Sequence, residues 1–297
     1  MDKRLEGIPP LFPEPLRGRV RELLEQKGER VEELRLRAGQ PPRWAAGGRE
    51  LPLPREGGEV LAPALLEEIV RRAAGYGLYA VEEQLAAGFL ALPYGHRLGL
   101  CGTAVRSGEG LRSLRDFQAL NLRLARERPG CADAAFAFLW ARPVSTLILG
   151  PPGSGKTTVL RDLIRQCSER GGSRIAVVDE RGELAACREG LPQLRLGPRT
   201  DVLSLCPKAA GIELLLRAMA PEWIALDEIS AAADVEALIR ASYCGVRYLA
   251  TAHAASPGEL CRRPVYRALL EAGLFENLVL IREDRSLQCE ELQDAVE

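Results

Sequence analysis

Nine consecutive residues, Gly150-Pro151-Pro152-Gly153-Ser154-Gly155-Lys156-Thr157-Thr158, have the types and spacing that hold phosphate. They fit G-x-x-x-x-G-K-[ST], with an apolar run (Val144 to Leu149) before them and a helix-like stretch (Val159 to Cys167) after. The glycines let the backbone curl so that successive N–H groups face phosphate oxygens. The helix that follows adds the positive end of its dipole. Lys156 would reach the β- and γ-phosphates, and the Thr157 hydroxyl would ligate Mg²⁺. The ligand implied is a nucleoside triphosphate, ATP with Mg²⁺, rather than a Gly-rich surface turn.

Further along, the apolar run Ile224-Ala225-Leu226 ends in Asp227-Glu228. An acidic pair at a strand end after a phosphate loop suits two tasks. Asp227 would hold the Mg²⁺ through its water shell, and Glu228 would orient or deprotonate an attacking water. Ile175 to Val178 runs into Asp179-Glu180-Arg181-Gly182-Glu183. This is either a solvated loop or a second carboxylate, Glu180, facing the γ-phosphate. Thr251-Ala252-His253 closes another apolar run. His253 is either a satisfied structural histidine or a sensor near the γ-phosphate and the acidic pair. Arg199 and Arg217 do not end an ATP-facing strand. They are candidates for donors acting across a subunit interface, against the alternative of surface ion pairs.

To position these residues the chain needs strands whose carboxyl ends share one edge. From Asp133 to Trp140 a helical pattern leads into the phosphate-loop strand. Strand-like runs (Ile175 to Val178, Trp223 to Leu226, Val246 to Thr251) then alternate with helical ones (Ala209 to Met219, Asp234 to Tyr243). Such alternation indicates a mostly parallel sheet covered on both faces, with ligands at the strand carboxyl ends. Ser256-Pro257-Gly258-Glu259 reads as a capped helix start, and Leu278 to Ile281 with Leu287 to Leu292 as an edge hairpin. Pro129-Gly130 is the expected boundary, giving an α/β nucleotide domain over 130–297 and a smaller α+β domain over 1–129. In the latter, Leu16, Val20, Leu23 and Leu24 mark one helix, and Leu65, Leu66, Ile69, Val70 and Ala73 a second. Val31 to Arg37 reads as a strand, and Val81 to Ala87 as a short helix. The Pro- and Gly-rich stretch from Gly39 to Gly58 is expected to hold one short strand or loop around Trp44. A hairpin is expected across Pro93-Tyr94-Gly95-His96, with His96 as a surface polar group, and another strand pair across Ser107 to Gly110. The arginines between Leu111 and Arg128 read as a solvated face, of which one or two could meet phosphate or a neighbouring subunit.

The 297 residues are 46% hydrophobic and 27% charged, with a formal net charge of −1, so two globular domains are expected and no global field favours nucleic acid. Only four of the 40 basic residues are lysines (Lys3, Lys27, Lys156, Lys208). The eight cysteines include no C-x-x-C pair, which argues against a zinc site or disulfide framework and for a reducing cytosol. Met1-Asp2-Lys3-Arg4 is followed by no apolar h-region, and no apolar run approaches the ~20 residues that cross a bilayer. A cytoplasmic protein is expected, peripheral to a membrane only through a partner.

Several stretches together resemble the stage III sporulation protein AA family, ATPases related to those of type II and type IV secretion. They are Asp179-Glu180-Arg181-Gly182-Glu183-Leu184, Gly197-Pro198-Arg199-Thr200-Asp201-Val202-Leu203, Cys206-Pro207-Lys208, Leu216-Arg217-Ala218-Met219-Ala220-Pro221, Asp227-Glu228-Ile229 and Thr251-Ala252-His253. Glu33 to Gly39 and Gly95 to Gly102 extend the likeness into the first half. The resemblance implies a homo-hexameric ring ATPase with nucleotide between subunits. It also implies action with membrane-channel proteins on the mother-cell face of a complex joining mother cell and forespore. Glu180 would fall in the acidic box of secretion ATPases and His253 in their histidine box. Asp227 stands where secretion ATPases commonly have glycine, and Ser230 where glycine is expected in the sporulation proteins. The competing function class is an ATP-dependent protein binding single-stranded RNA or DNA. That class calls for a basic, aromatic-bearing surface, whereas aromatics make up only 5% of this chain.

Overall fold

In the computed structural model, residues 2–53, 60–75, 77, 81–107 and 110–296 are described. The chain divides into two compact units, Met1–Ala125 and Arg126–Glu297.

The first unit holds α1 (Leu16–Lys27), β1 (Glu33–Arg37), β2 (Arg43–Ala46), β3 (Arg49–Pro52), α2 (Pro63–Ala73), α3 (Glu82–Ala86), β4 (Phe89–Ala91), β5 (Arg97–Ser107) and β6 (Gly110–Arg123). Its six strands pair in the order β3-β2-β1-β6-β5-β4, antiparallel throughout. Alternation in β1 buries Leu34 and Leu36 and leaves Arg35 and Arg37 half-exposed on the other face. The buried face, with Trp44, Leu98, Leu120 and Leu122, packs on Leu23 of α1 and on Leu66 and Ile69 of α2. Two strands, β2 and β3, occupy the stretch where one was expected. Gly47 and Gly48, both at positive φ, make the two-residue turn between them. Residues 54–59 of that stretch, and Gly108 and Glu109 of the expected turn between β5 and β6, lie outside the described residues. At Gly102, where β5 shifts register against β6, a Cβ would lie 2.5 Å from the Arg115 carbonyl oxygen, so only glycine fits.

His96 departs from its expected surface role, being only 2% exposed. Its Nδ1 accepts the Ala125 N–H at 3.0 Å, which makes Nε2 the protonated nitrogen, donating to the Arg4 carbonyl at 2.9 Å. Burial is the main cause of its lowered pKa. The ring ties the two ends of this unit together in its neutral form.

The second unit runs α4 (Asp133–Ala141), β7 (Thr146–Leu149), α5 (Lys156–Glu169), β8 (Ile175–Asp179), β9 (Thr200–Ser204), α6 (Lys208–Met219), β10 (Trp223–Leu226), α7 (Ala232–Ser242) and β11 (Arg247–Ala252). It ends with α8 (Pro257–Arg262), α9 (Pro264–Glu271), β12 (Asn277–Ile281), β13 (Leu287–Glu291) and α10 (Leu292–Val296). The sheet order is β13-β12-β7-β11-β10-β8-β9. Every pair is parallel except the edge hairpin β12–β13. β7, β8 and β10 are buried along their whole length, as parallel strands covered on both faces must be. Leu147, Leu149, Ile224 and Leu226 face a core with Ile212 of α6, Leu238 of α7 and Leu269 of α9. Ile148 and Ala225 face the opposite core, with Phe136 of α4 and Leu160 and Leu163 of α5. Strand β9 was not expected. It is half-exposed along most of its length, so its residues show no alternation to read. Among the described residues no helix is long and apolar enough to cross a membrane.

Candidate active site

The phosphate loop leaves β7 at the carboxyl edge of the sheet, and its shape depends on its glycines. Gly153 and Gly155 hold φ of 76° and 102°, where side chains are strained, and a Cβ on Gly150 would sit 2.4 Å from Ser154 Oγ. Ser154 Oγ is itself a buried hydroxyl without a hydrogen-bond partner among the described residues, a spare donor inside an anion cradle. Helix α5 starts at Lys156, which is 6% exposed. The lysine donates to the carbonyls of Gly150 (2.8 Å) and Pro151 (3.0 Å) and lies 3.1 Å from His253 Nδ1. Burial is the leading influence on its pKa and lowers it, while Asp227 and Glu228 pull the other way.

Beside the loop, the ends of β10 and β11 supply the next groups. Thr157 Oγ1 donates to Asp227 Oδ2 at 2.8 Å, and Thr251 Oγ1 donates to Asp227 Oδ1 at 2.7 Å. A threonine hydroxyl and a carboxylate are hard oxygen donors of the kind Mg²⁺ takes alongside phosphate and water, so this pair fits the ion. Glu228 follows in a left-handed conformation, φ 39°, its N–H donating to Asp227 Oδ1 (3.1 Å) and to Thr251 Oγ1 (2.8 Å). A non-glycine residue in this region costs about 1–3 kcal/mol, and such strain clusters at functional sites. Two donors meet Glu228 Oε2, each at 3.2 Å: His253 Nε2 and Arg181 Nη1. Because the lysine ammonium can only donate, His253 Nδ1 accepts from it and Nε2–H donates to the glutamate. The hydroxyl of Tyr266, on α9, in turn accepts the His253 N–H at 3.0 Å.

The structure thus brings together Lys156, Thr157, Asp227, Glu228 and His253. Glu180 does not join them; its carboxylate pairs with Lys208, a buried residue opening α6. Arg199 lies at the opposite, amino-terminal edge of the sheet. Its guanidinium donates to the Gly172 carbonyl at 3.0 Å. Arg217 donates within its own helix, to the Glu213 carbonyl at 3.2 Å. Asp179, 1% exposed, accepts the N–H groups of Glu183, Leu184 and Ala185 at 2.8–3.0 Å and folds the acidic loop.

Sequence reasoning passed over Thr251, Arg181 and two residues of α5. Arg161 is buried and donates to the carbonyls of Leu184 (2.8 Å), Glu183 (2.6 Å) and Arg126 (3.3 Å). Its neighbour Asp162, 5% exposed, accepts at Oδ2 from the N–H groups of Gly130 and Ala132 and from Gln166 Nε2. Arg165 donates twice to its Oδ1, at 2.9 and 2.6 Å. The helix that begins at the phosphate loop therefore grips both the acidic loop and the segment before α4. The hint in the sequence was an Arg-Asp pair on what hydrophobic periodicity makes the buried face of a helix. Asp162→Ala is expected to destabilise this unit by about 2–6 kcal/mol, because the buried Ala132 N–H and Gln166 amide each lose an acceptor at about 1–3 kcal/mol, while Arg165 keeps Glu169. A loss below about 1 kcal/mol in urea denaturation would show that the network is solvated rather than structural.

A phosphate loop after a central strand of a doubly covered parallel sheet, with an Asp-Glu pair two strands away, gives this unit the α/β fold of a phosphate-loop NTPase domain. The ATPase DotB of Legionella pneumophila has this fold, with a TM-score of 0.62 at 16% identity over 94% of this chain and 80% of DotB. So does the pilus retraction motor PilT, solved with bound ADP, with a TM-score of 0.57 at 16% identity over 91% of this chain and 81% of PilT. The chain belongs to the family described as sporulation stage III, protein AA, whose model matches residues 10–290. It is 36% identical over 277 residues to stage III sporulation protein AA of Bacillus subtilis (strain 168), covering 92% of this chain and 89% of that one.

Proposed function

We propose that the chain binds ATP with Mg²⁺ and hydrolyses it as a motor of the secretion-ATPase type, energising a channel complex between mother cell and forespore. The observation that carries this is the convergence of Lys156, Thr157, Asp227, Glu228 and His253 through contacts of 2.7–3.2 Å at one sheet edge. Thr157 Oγ1 and Asp227 would hold the ion, which when bound would supply positive charge beside the phosphates. Lys156 would exchange the Gly150 and Pro151 carbonyls for phosphate oxygens. Water oxygen would bond to the terminal phosphorus as the bond to the bridging oxygen breaks. The electron pair would leave with ADP and a water proton would pass to Glu228. His253, bonded to both Lys156 and Glu228, would report on whether the lysine is engaged by phosphate.

In this scheme residues 130–297 do the chemistry and residues 1–129 transmit the nucleotide state. The protein works as a homo-hexamer, with Arg199 and Arg217 offered to the neighbouring subunit, and it meets the membrane through channel proteins. Support comes from the likeness to stage III sporulation protein AA of Bacillus subtilis and from the fold shared with DotB, an ATPase, and with PilT, a pilus retraction motor solved with bound ADP. The test is ATP turnover by the purified chain with and without Mg²⁺, together with its mass in solution with and without ATP. Magnesium-dependent release of phosphate and a nucleotide-dependent hexamer are expected; a persistent monomer would remove the in-trans role from the two arginines.

A further inference from the structure

On the premise of ATP hydrolysis at this site, we infer that Arg181 is an arginine the chain supplies to its own reaction, moving from Glu228 to the terminal phosphate. Three observations carry this. Arg181 is the residue of the acidic loop that reaches the Asp-Glu pair, with Nη1 3.2 Å from Glu228 Oε2, whereas the adjacent Glu180 is taken by Lys208. Its side chain is 58% exposed, and Glu228 is its only side-chain partner among the described residues. Meanwhile the backbone beneath it is fixed. The Asp179 carboxylate holds three N–H groups of the loop, and the Asp179 carbonyl accepts from Gly182 (3.3 Å) and Leu205 (2.9 Å). An exposed guanidinium on a backbone held in place can trade partners without moving the loop.

The trade follows from charge. Glu228 offers a single negative charge shared with His253, while the terminal phosphate of a nucleoside triphosphate offers a denser one in a geometry suited to the guanidinium fork. Leaving Glu228 also frees the carboxylate from one of two donors, so that it can accept the water proton. Arg181 itself transfers no proton; it stabilises the charge that builds on the phosphoryl oxygens as the bond to ADP breaks. Arg199 and Arg217 are held elsewhere in this chain, whereas Arg181 already reaches Glu228 from within the same subunit.

The test compares wild type, Arg181→Ala and Arg181→Lys for ATP turnover and for binding of ADP alone and of ADP with aluminium fluoride, which mimics the transferring phosphoryl group. Arg181→Ala is expected to lower kcat at least about 10²-fold, toward the range known for arginine donors. ADP affinity should stay within about threefold, while the gain in affinity on adding aluminium fluoride is lost. Arg181→Lys should recover part of both, since charge without the fork remains. Turnover of Arg181→Ala within twofold of wild type, or equal weakening of both ligands, overturns the role. Wild-type protein that turns over no ATP and gains nothing from aluminium fluoride overturns the hydrolytic premise as well.

Discussion

Glu228→Gln is expected to keep nucleotide binding and to lower kcat about 10²–10⁴-fold, the range for removal of a positioned general base. The substitution keeps the shape of the side chain and one oxygen for His253 Nε2 and Arg181 Nη1 to donate to. It also keeps the backbone N–H that bonds Asp227 and Thr251, so the left-handed turn at this position persists. What is lost is the ability to accept a proton, and with it about 3–5 kcal/mol of transition-state stabilisation. Thr157 and Asp227 are untouched, so the metal-dependent part of ATP affinity should be unchanged. Steady-state phosphate release and an equilibrium titration with ATP separate the two effects. Turnover within threefold of wild type would remove Glu228 from the base role and direct attention to Glu180, after release from Lys208.

The parts of this site that could be read from the sequence are those in which chemistry imposes spacing along the chain. The phosphate loop must curl within a few residues, so its glycines, Lys156 and Thr157 are fixed relative to one another. Asp227 and Glu228 are marked by the apolar strand that ends at them. Partnerships between side chains on different strands have no such signature. The run Asp179-Glu180-Arg181 offers three ionisable groups at the end of a strand buried on both faces, so alternation cannot say which one turns toward β10. Only the packed sheet shows Asp179 folding its own loop, Glu180 on Lys208 and Arg181 on Glu228. Strand β9 and the β2–β3 hairpin escaped because one is half-exposed without a pattern and the other is four residues a side around Gly47-Gly48. His96 sits next to a turn, which argues for exposure, yet it closes the first unit by bonding a backbone group from each of its two ends.

Lys156→Ala should show the reverse pattern to Glu228→Gln, losing ATP at the binding step. Its ammonium now satisfies the carbonyls of Gly150 and Pro151, and in the bound state it would give those donors to phosphate. Two hydrogen bonds to charged groups at about 1.5–3 kcal/mol each amount to roughly 3–6 kcal/mol. That weakens ATP binding by roughly 10²–10⁴-fold. The ligand-free protein should respond differently from one that has lost a structural residue. Burial holds the lysine pKa below its unfolded value, so the unfolded chain binds this proton more readily. Stability linked to the lysine therefore rises with pH from the folded toward the unfolded pKa, and below that window the buried ammonium is a net cost. Removing it should hold or raise the Tm of the ligand-free protein at neutral pH, even as the upward shift that saturating ATP gives wild type disappears. Thermal unfolding of both proteins with and without ATP and Mg²⁺ reads both quantities. A marked fall in ligand-free Tm would show that the three contacts of Lys156 outweigh its burial, and an undiminished ATP shift would take the lysine out of phosphate binding.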